Sequence, residues 1–342
     1  MGNYTANGTW LSHAYVTTAS FIDANTPTLL QKMSESYDVD TLYVNVGAIT
    51  SSGRLQSGTY PQVVRFLDAV HAYEVAHGVT FKVFAALSGN LDPAVPEYIE
   101  IGTGPGNDRA MIIDEAKRFC STTISGSYLV GADRAFDGVM IDFEPSGPRD
   151  EAMDDTNFNN LKTLMQDMRN AFNAAGLGSR QLGVAAHRYG DGSRWKWPTR
   201  YFYYMAKYVN VLAVMTYNSG STSGPAYQSW MQSNATSALR AVSGEAYSDG
   251  NHPPPTNNPR VYFGFAAYPA NSVHDPAFEN TKYGAWGLDA AITALVNDPS
   301  DDSENYMAGA YMYLHADGDS APETYARWDT DWYWFYEHWL GK

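Results

Sequence analysis

The stretch FDGVMIDFEP, residues 136–145, places Asp142 and Glu144 two positions apart. Side chains of a strand alternate between its faces, so the two carboxyls lie on one side, about 6.5–7 Å apart along the chain. Val139, Ile141 and Phe143 take the other side and give the alternation of a half-buried strand. Two acids ending an apolar strand serve one of two purposes. They exchange protons and charge with a ligand, or they pair with basic residues of a neighbouring strand, for which Arg188 is the best candidate.

Other chemistries find little support. The eight histidines are scattered without H-x-x-x-H or H-E-x-x-H spacing, so no metal site is expected. The acidic loops DDSEN and DGDS lack EF-hand spacing, and no G-x-S-x-G elbow presents a serine nucleophile. One cysteine, Cys120, excludes an intrachain disulfide and a thiolate metal cluster. No cofactor is implied.

The elements that must position the acids repeat one rhythm: a short apolar strand, a Gly/Ser/Pro/Asn-rich loop, then a helix-length amphipathic segment. Strands are expected at LSHAYVTT (11–18), TLYVNVG (41–47), FKVFAAL (81–87), FDGVMIDFE (136–144), QLGVAAH (181–187), VNVLAVMTY (209–217), VYFGFAAY (261–268) and MAGAYMYL (307–314). Eight such repeats predict an α/β fold, a (β/α)8 TIM barrel formed as a single domain over residues 1–342. The Pro-rich GNHPPPTNNP is a loop rather than a linker, and no glycine-rich phosphate loop supports an open doubly wound sheet. In a barrel the chemistry sits at the C-terminal mouth. Gly138 and Met140 then fill the interior while Asp142 and Glu144 reach the mouth.

Composition narrows the ligand. With 22 basic and 37 acidic residues the formal charge is −15, which opposes the phosphate attraction that begins most nucleic-acid binding. The acidity fits solubility, or attraction for a cationic amino-sugar polymer. Twenty-five tyrosines and nine tryptophans supply rings that stack on sugar faces. No apolar run reaches the roughly 20 residues of a membrane span. The opening MGNYTANGTW has no signal-peptide pattern, so an export signal would lie outside this sequence.

The fourth-strand residues Asp137, Gly138, Met140, Asp142 and Glu144 resemble the D-G-x-D-x-D-x-E strand end of glycoside hydrolase family 18, the chitinase-like barrels. The sixth strand ends VMTYN, similar to the family's Met-x-Tyr-Asp/Asn with Met215, Tyr217 and Asn218 in place. YFGFAAYP and GAYMYLHAD are similar to the seventh- and eighth-strand regions, where Tyr313 stands at the position of the family's sugar-flooring tryptophan. Ala86-Leu87-Ser88-Gly89 stands where the family has Ser-x-Gly-Gly. The resemblance implies a retaining, substrate-assisted glycosidase of N-acetylhexosamine-containing polysaccharide or glycan, acting outside the cell or at its surface. Glu144 is then the general acid and base, its proton affinity raised by burial and by Asp142. Asp142 orients the acetamido N–H, and Tyr217 donates to the acetamido oxygen. Met140 replaces the family's middle acid, which predicts an altered proton affinity at Asp142 and slower turnover.

Further mouth candidates come from strand ends and loops. Tyr43 and Asn45 share a parity on the second strand, His187 and Arg188 end the fifth, and His315 and Asp317 follow the eighth. Trp195 and Trp197, in the loop RWKWP, are candidate sugar platforms, with Trp230 and Trp286 behind them. The C-terminal WDTDWYWFYEHW is expected to pack its aromatics on the barrel. Two alternatives stay open: a lectin-like barrel that binds sugar without cleaving it, and a hydrolase of de-acetylated amino-sugar polymers. The oligomeric state is not encoded in any feature of the sequence.

Overall fold

Eight parallel strands close on themselves in chain order, each hydrogen-bonded to its sequence neighbours and the first to the last. The computed structural model describes residues 6–55, 60–124, 126, 128–146, 150–188, 195–247, 251–270, 272–313 and 328–341. Among them the strands are β1 (Asn7–Leu11), β2 (Val39–Ala48), β3 (Lys82–Asn90), β4 (Gly138–Glu144), β5 (Gln181–His187), β6 (Val211–Met215), β7 (Arg260–Ala266) and β8 (Met307–Tyr313). The helices are α1 (Ala14–Thr17), α2 (Ala19–Gln31), α3 (Val63–His77), α4 (Arg109–Phe119), α5 (Glu151–Ala174), α6 (Thr199–Ala206), α7 (Gly224–Ser243), α8 (Thr281–Val296) and α9 (Trp328–Trp334).

Strand and helix boundaries follow local chemistry. Asp150, Ser223 and Asn280 precede α5, α7 and α8, and each side chain accepts a hydrogen bond from a first-turn N–H. Gly78 ends α3 in the left-handed conformation at φ 67°, which glycine adopts without a Cβ clash.

The first strand is a correction to the sequence reading. Residues 14–17 are helical, and β1 lies earlier, at Asn7–Leu11. The β-branched and aromatic run after Leu11 reads as strand, but Tyr15 packs edge-on against Phe21 and Phe66 of α2 and α3. Tertiary packing overrides local propensity here.

Two apolar layers result. The larger lies between strands and helices, and the C-terminal segment contributes fully buried Trp332, from α9, and Phe335, which follows it, as expected. The second fills the barrel, with Trp10, Tyr43, Phe84, Met140, Tyr262 and Tyr311 among its members. Met140 is interior, as its parity predicts, and crowds Gly183 so closely that a Cβ there would lie 2.6 Å from its Cε.

Candidate active site

Register carries the two acids to the mouth. Asp142 pairs with Ser88 and Glu144 with Asn90, the last residue of β3, so both lie one layer or more above Met140. The Glu144 side chain is 36% exposed. Asp142 is half-buried as a residue, but its Oδ1 is sealed from solvent and has no hydrogen-bond partner among the described residues. Burial, the charge of Glu144 and a hydrogen bond between the two carboxyls push the Asp142 carboxyl well above the usual aspartate range. The sequence placed the upward push on Glu144; the structure places it on Asp142.

His187, the last residue of β5, is fully buried with Nδ1 3.9 Å from Glu144 Oε2. It lies beside Met215 in the β5–β6 register. Across the mouth Tyr217 stacks on Tyr313 at 4.7 Å and 9° between planes, and Tyr268 meets both rings edge-on. Asn218 follows in a left-handed turn at φ 54°, and its Oδ1 accepts the Tyr268 hydroxyl at 2.8 Å. Met215, Tyr217, Asn218, Tyr313 and His187 are thus gathered around the same end of the barrel as Asp142 and Glu144.

Several residues not singled out in the sequence belong to this group. Tyr311 is buried one layer below Tyr313, close enough to Asp142 and Glu144 for their charges to help burial in pushing its hydroxyl far upward. Trp10 sets its edge against Tyr313 at 5.9 Å. The parity of Tyr313 points to Tyr311, whereas Trp10 is hidden by the misplaced first strand. Gly264 leaves room for these rings: a Cβ there would lie 2.6 Å from Tyr311 and 2.8 Å from Tyr217.

Four expected ligand contacts lie elsewhere. Tyr43 is buried inside the barrel among Trp10, Phe84 and Tyr262, below the mouth. Through the register Tyr43 pairs with Phe84 and Phe84 with Gly138, two inward layers below Asp142. Arg188 turns outward, donating to the Trp197 carbonyl at 3.1 Å and to Ser237 Oγ of α7 at 2.7 Å. Burial lowers its guanidinium to about 10. Trp195 and Trp197 are 1% and 0% exposed, packed behind His187 against Phe158 and Tyr201, so neither presents a free ring face.

Asn45 remains half-buried, its Oδ1 accepting the Gly47 N–H at 3.0 Å. Trp230 is partly buried on α7 and Trp286 is 37% exposed on α8. His315 and Asp317 lie outside the described residues.

Asp137, the first acid of the strand-four pattern, is at the opposite end of the barrel. It accepts the Val83 N–H at 2.9 Å and pairs with Arg134 and Arg180 beside a charged cavity of about 410 Å³. Its role there is to tie β3 to β4. Among the described residues no group of three His, Cys, Asp or Glu side chains is disposed to hold a metal ion, and no helix is long and apolar enough to cross a membrane.

The architecture is shared with chitinases of known structure. A family GH18 chitinase from Chromobacterium violaceum superposes with a TM-score of 0.53 at 14% identity, over 99% of this chain and 83% of that one. A second chitinase structure from the same organism gives 0.50 at 14% identity, over 98% and 99%. A family GH18 chitinase from Cycas revoluta, solved with allosamidin, gives 0.53 at 12% identity, over 97% and 99%. No family sequence model matches the chain, and no curated protein matches it by sequence. The likeness is therefore one of fold: a closed eight-stranded parallel barrel of the GH18 chitinase type.

Proposed function

We propose that the protein is a retaining glycosidase that cleaves N-acetylhexosamine-containing polysaccharide or glycan with participation of the substrate's own acetamido group. The observation that carries this reading is the placement of Asp142 and Glu144 on one face of β4 at its C-terminal end, with Asp142 Oδ1 sealed from solvent, at the same end of the barrel as Tyr217, which follows β6. A second carboxylate acting as nucleophile would have to approach the sugar from the face opposite the acid. Asp142 comes from the same strand as Glu144 and is badly placed for that, which favours the acetamido oxygen as nucleophile.

The proton begins on Asp142. When the acetamido N–H reaches Asp142, the proton passes to Glu144, leaving Asp142 ionised and able to accept that N–H. Glu144 then protonates the glycosidic oxygen as the bond to the anomeric carbon breaks. The acetamido oxygen, held by the Tyr217 hydroxyl, closes on that carbon from the other face. The resulting oxazolinium ion is positively charged, and Asp142 offsets the charge. Glu144, now a carboxylate, takes a proton from the incoming water, and the ring opens with net retention. Met140 supplies no second acceptor beneath Asp142, so the proton of the pair has only Glu144 to go to. Tyr313, Trp10, Met215 and Asn218 line the sugar subsite, and His187, fully buried beside Glu144, backs it.

Such polymers are extracellular, and action outside the cell or at its surface belongs to this proposal. The test is substrate choice. Oligomers of N-acetylglucosamine are expected to release reducing ends while the de-acetylated oligomers of equal length do not, and a thiazoline analogue of the oxazolinium ion should inhibit. Equal cleavage of both oligomers would favour the de-acetylated-polymer hydrolase, and binding without cleavage the lectin-like barrel.

A further inference from the structure

Glu279, in the loop between β7 and α8, is a carboxylate only 1% exposed, yet it takes no part in the chemistry above. Four donors converge on it. The N–H of Asn218 and His274 Nδ1, the latter at 2.9 Å, meet Oε1, while the N–H of Ser219 at 2.7 Å and the Ser219 hydroxyl meet Oε2. The other nitrogen of His274 lies 3.2 Å from the carbonyl oxygen of Tyr268, and the Tyr268 hydroxyl returns to Asn218 Oδ1. Buried charge is costly unless it is fully hydrogen-bonded, so a carboxylate kept here with four donors is doing a specific positional task.

The geometry shows what that task is. Asn218 holds a left-handed backbone, which asparagine tolerates better than most residues with a Cβ, and its N–H is fixed there by Glu279. The peptide linking Tyr217 to Asn218 is fixed on its N–H side by Glu279. On the preceding side Thr216 is held by the Tyr227 hydroxyl, which donates to its carbonyl at 2.7 Å, and by its own hydroxyl, which donates to the Gly264 carbonyl at 2.9 Å. Tyr217 therefore sits between two anchored peptides, with its ring stacked on Tyr313.

We infer that Glu279 is a positioning residue for Tyr217: through the N–H groups of Asn218 and Ser219 it sets the angle at which the Tyr217 hydroxyl meets an acetamido group. This rests on the function proposed above. Glutamine at 279 would turn an amide NH2 toward either the Asn218 N–H or the Ser219 N–H, and that backbone donor would lose its acceptor.

The experiment uses the inactive Glu144→Gln protein and measures binding of N-acetylglucosamine and glucosamine tetramers by titration calorimetry. Adding Glu279→Gln should weaken the acetylated tetramer roughly tenfold, the loss of one well-placed charge-assisted bond's worth of order, and leave the de-acetylated tetramer unchanged. With Tyr217→Phe already present, Glu279→Gln should have no further effect. Equal weakening of both tetramers, or an undiminished effect beside Tyr217→Phe, would overturn the inference. If Glu279→Gln does not fold, Ser219→Ala removes a single donor and should give a smaller effect in the same direction; no effect would count against the inference. If neither tetramer binds, the functional reading fails separately. A crystal structure of the Glu279→Gln protein then decides the inference by itself: a displaced Tyr217 ring supports it, and a ring still stacked on Tyr313 refutes it.

Discussion

Replacing Asp142 by asparagine should change how stability depends on pH, and the direction follows from the burial of its carboxyl. An unfolded aspartate has a pKa of about 3.9. The folded Asp142 holds its proton to higher pH because Oδ1 is sealed from water and Glu144 is its immediate neighbour. Between those two values the folded state binds more protons than the unfolded state, so stability falls as pH rises. One proton gives a slope of at most about 1.4 kcal/mol per pH unit. The contribution is fully present below the unfolded value and lost as pH climbs through the folded one. Asparagine keeps the shape and can donate to Glu144, but it does not titrate. Urea unfolding of both proteins between pH 4 and 8 should therefore show the wild type losing ground to Asp142→Asn as pH increases, then a constant difference once Asp142 has ionised. In a Glu144→Gln background the window should narrow, because the charge of Glu144 is the second cause of the shift. A difference that is flat with pH, or that grows in favour of the wild type, would refute the account of a buried carboxyl that holds its proton.

Further outcomes follow from the same geometry. Tyr217→Phe should lower kcat on acetylated oligomers by roughly 10- to 1000-fold while unfolding by urea is little changed, since the lost hydroxyl acts on the acetamido oxygen as charge develops. Gly264→Ala should cost about 1–3 kcal/mol through overpacking and depress the same activity, because the new methyl would press on Tyr311 and Tyr217; an unperturbed variant would mean the rings are free to shift. Asp137→Ala should destabilise by about 1–3 kcal/mol, measured by urea unfolding, as it strips the Val83 N–H of its acceptor and Arg134 of one partner. Its kcat on whatever folded fraction remains should be unchanged, given its place at the far end of the barrel.

The strand rhythm was legible because seven of the eight strands carry their own apolar runs, and the parity of Asp142, Glu144 and Met140 follows from period-two geometry alone. What failed did so where neighbours distant in sequence decide. The run after Leu11 has strand composition but is folded as α1 by contact with Phe21 and Phe66. Trp195 and Trp197 lie in a loop, yet Phe158 and Tyr201 cover them. Arg188 sits one residue beyond inward-facing His187, so alternation sends it outward toward α7. Glu279 is invisible in sequence, since its partners Asn218 and Ser219 are sixty residues away and two of the bonds are to backbone.

The central claim is that Glu144 delivers the proton to the leaving sugar, and its most direct test is the rate at which Glu144→Gln releases reducing ends from acetylated oligomers. Glutamine preserves the side chain's size and removes its acidity, so the account predicts a fall of at least about 100-fold with the oligomer still bound. A variant as fast as the wild type would contradict it.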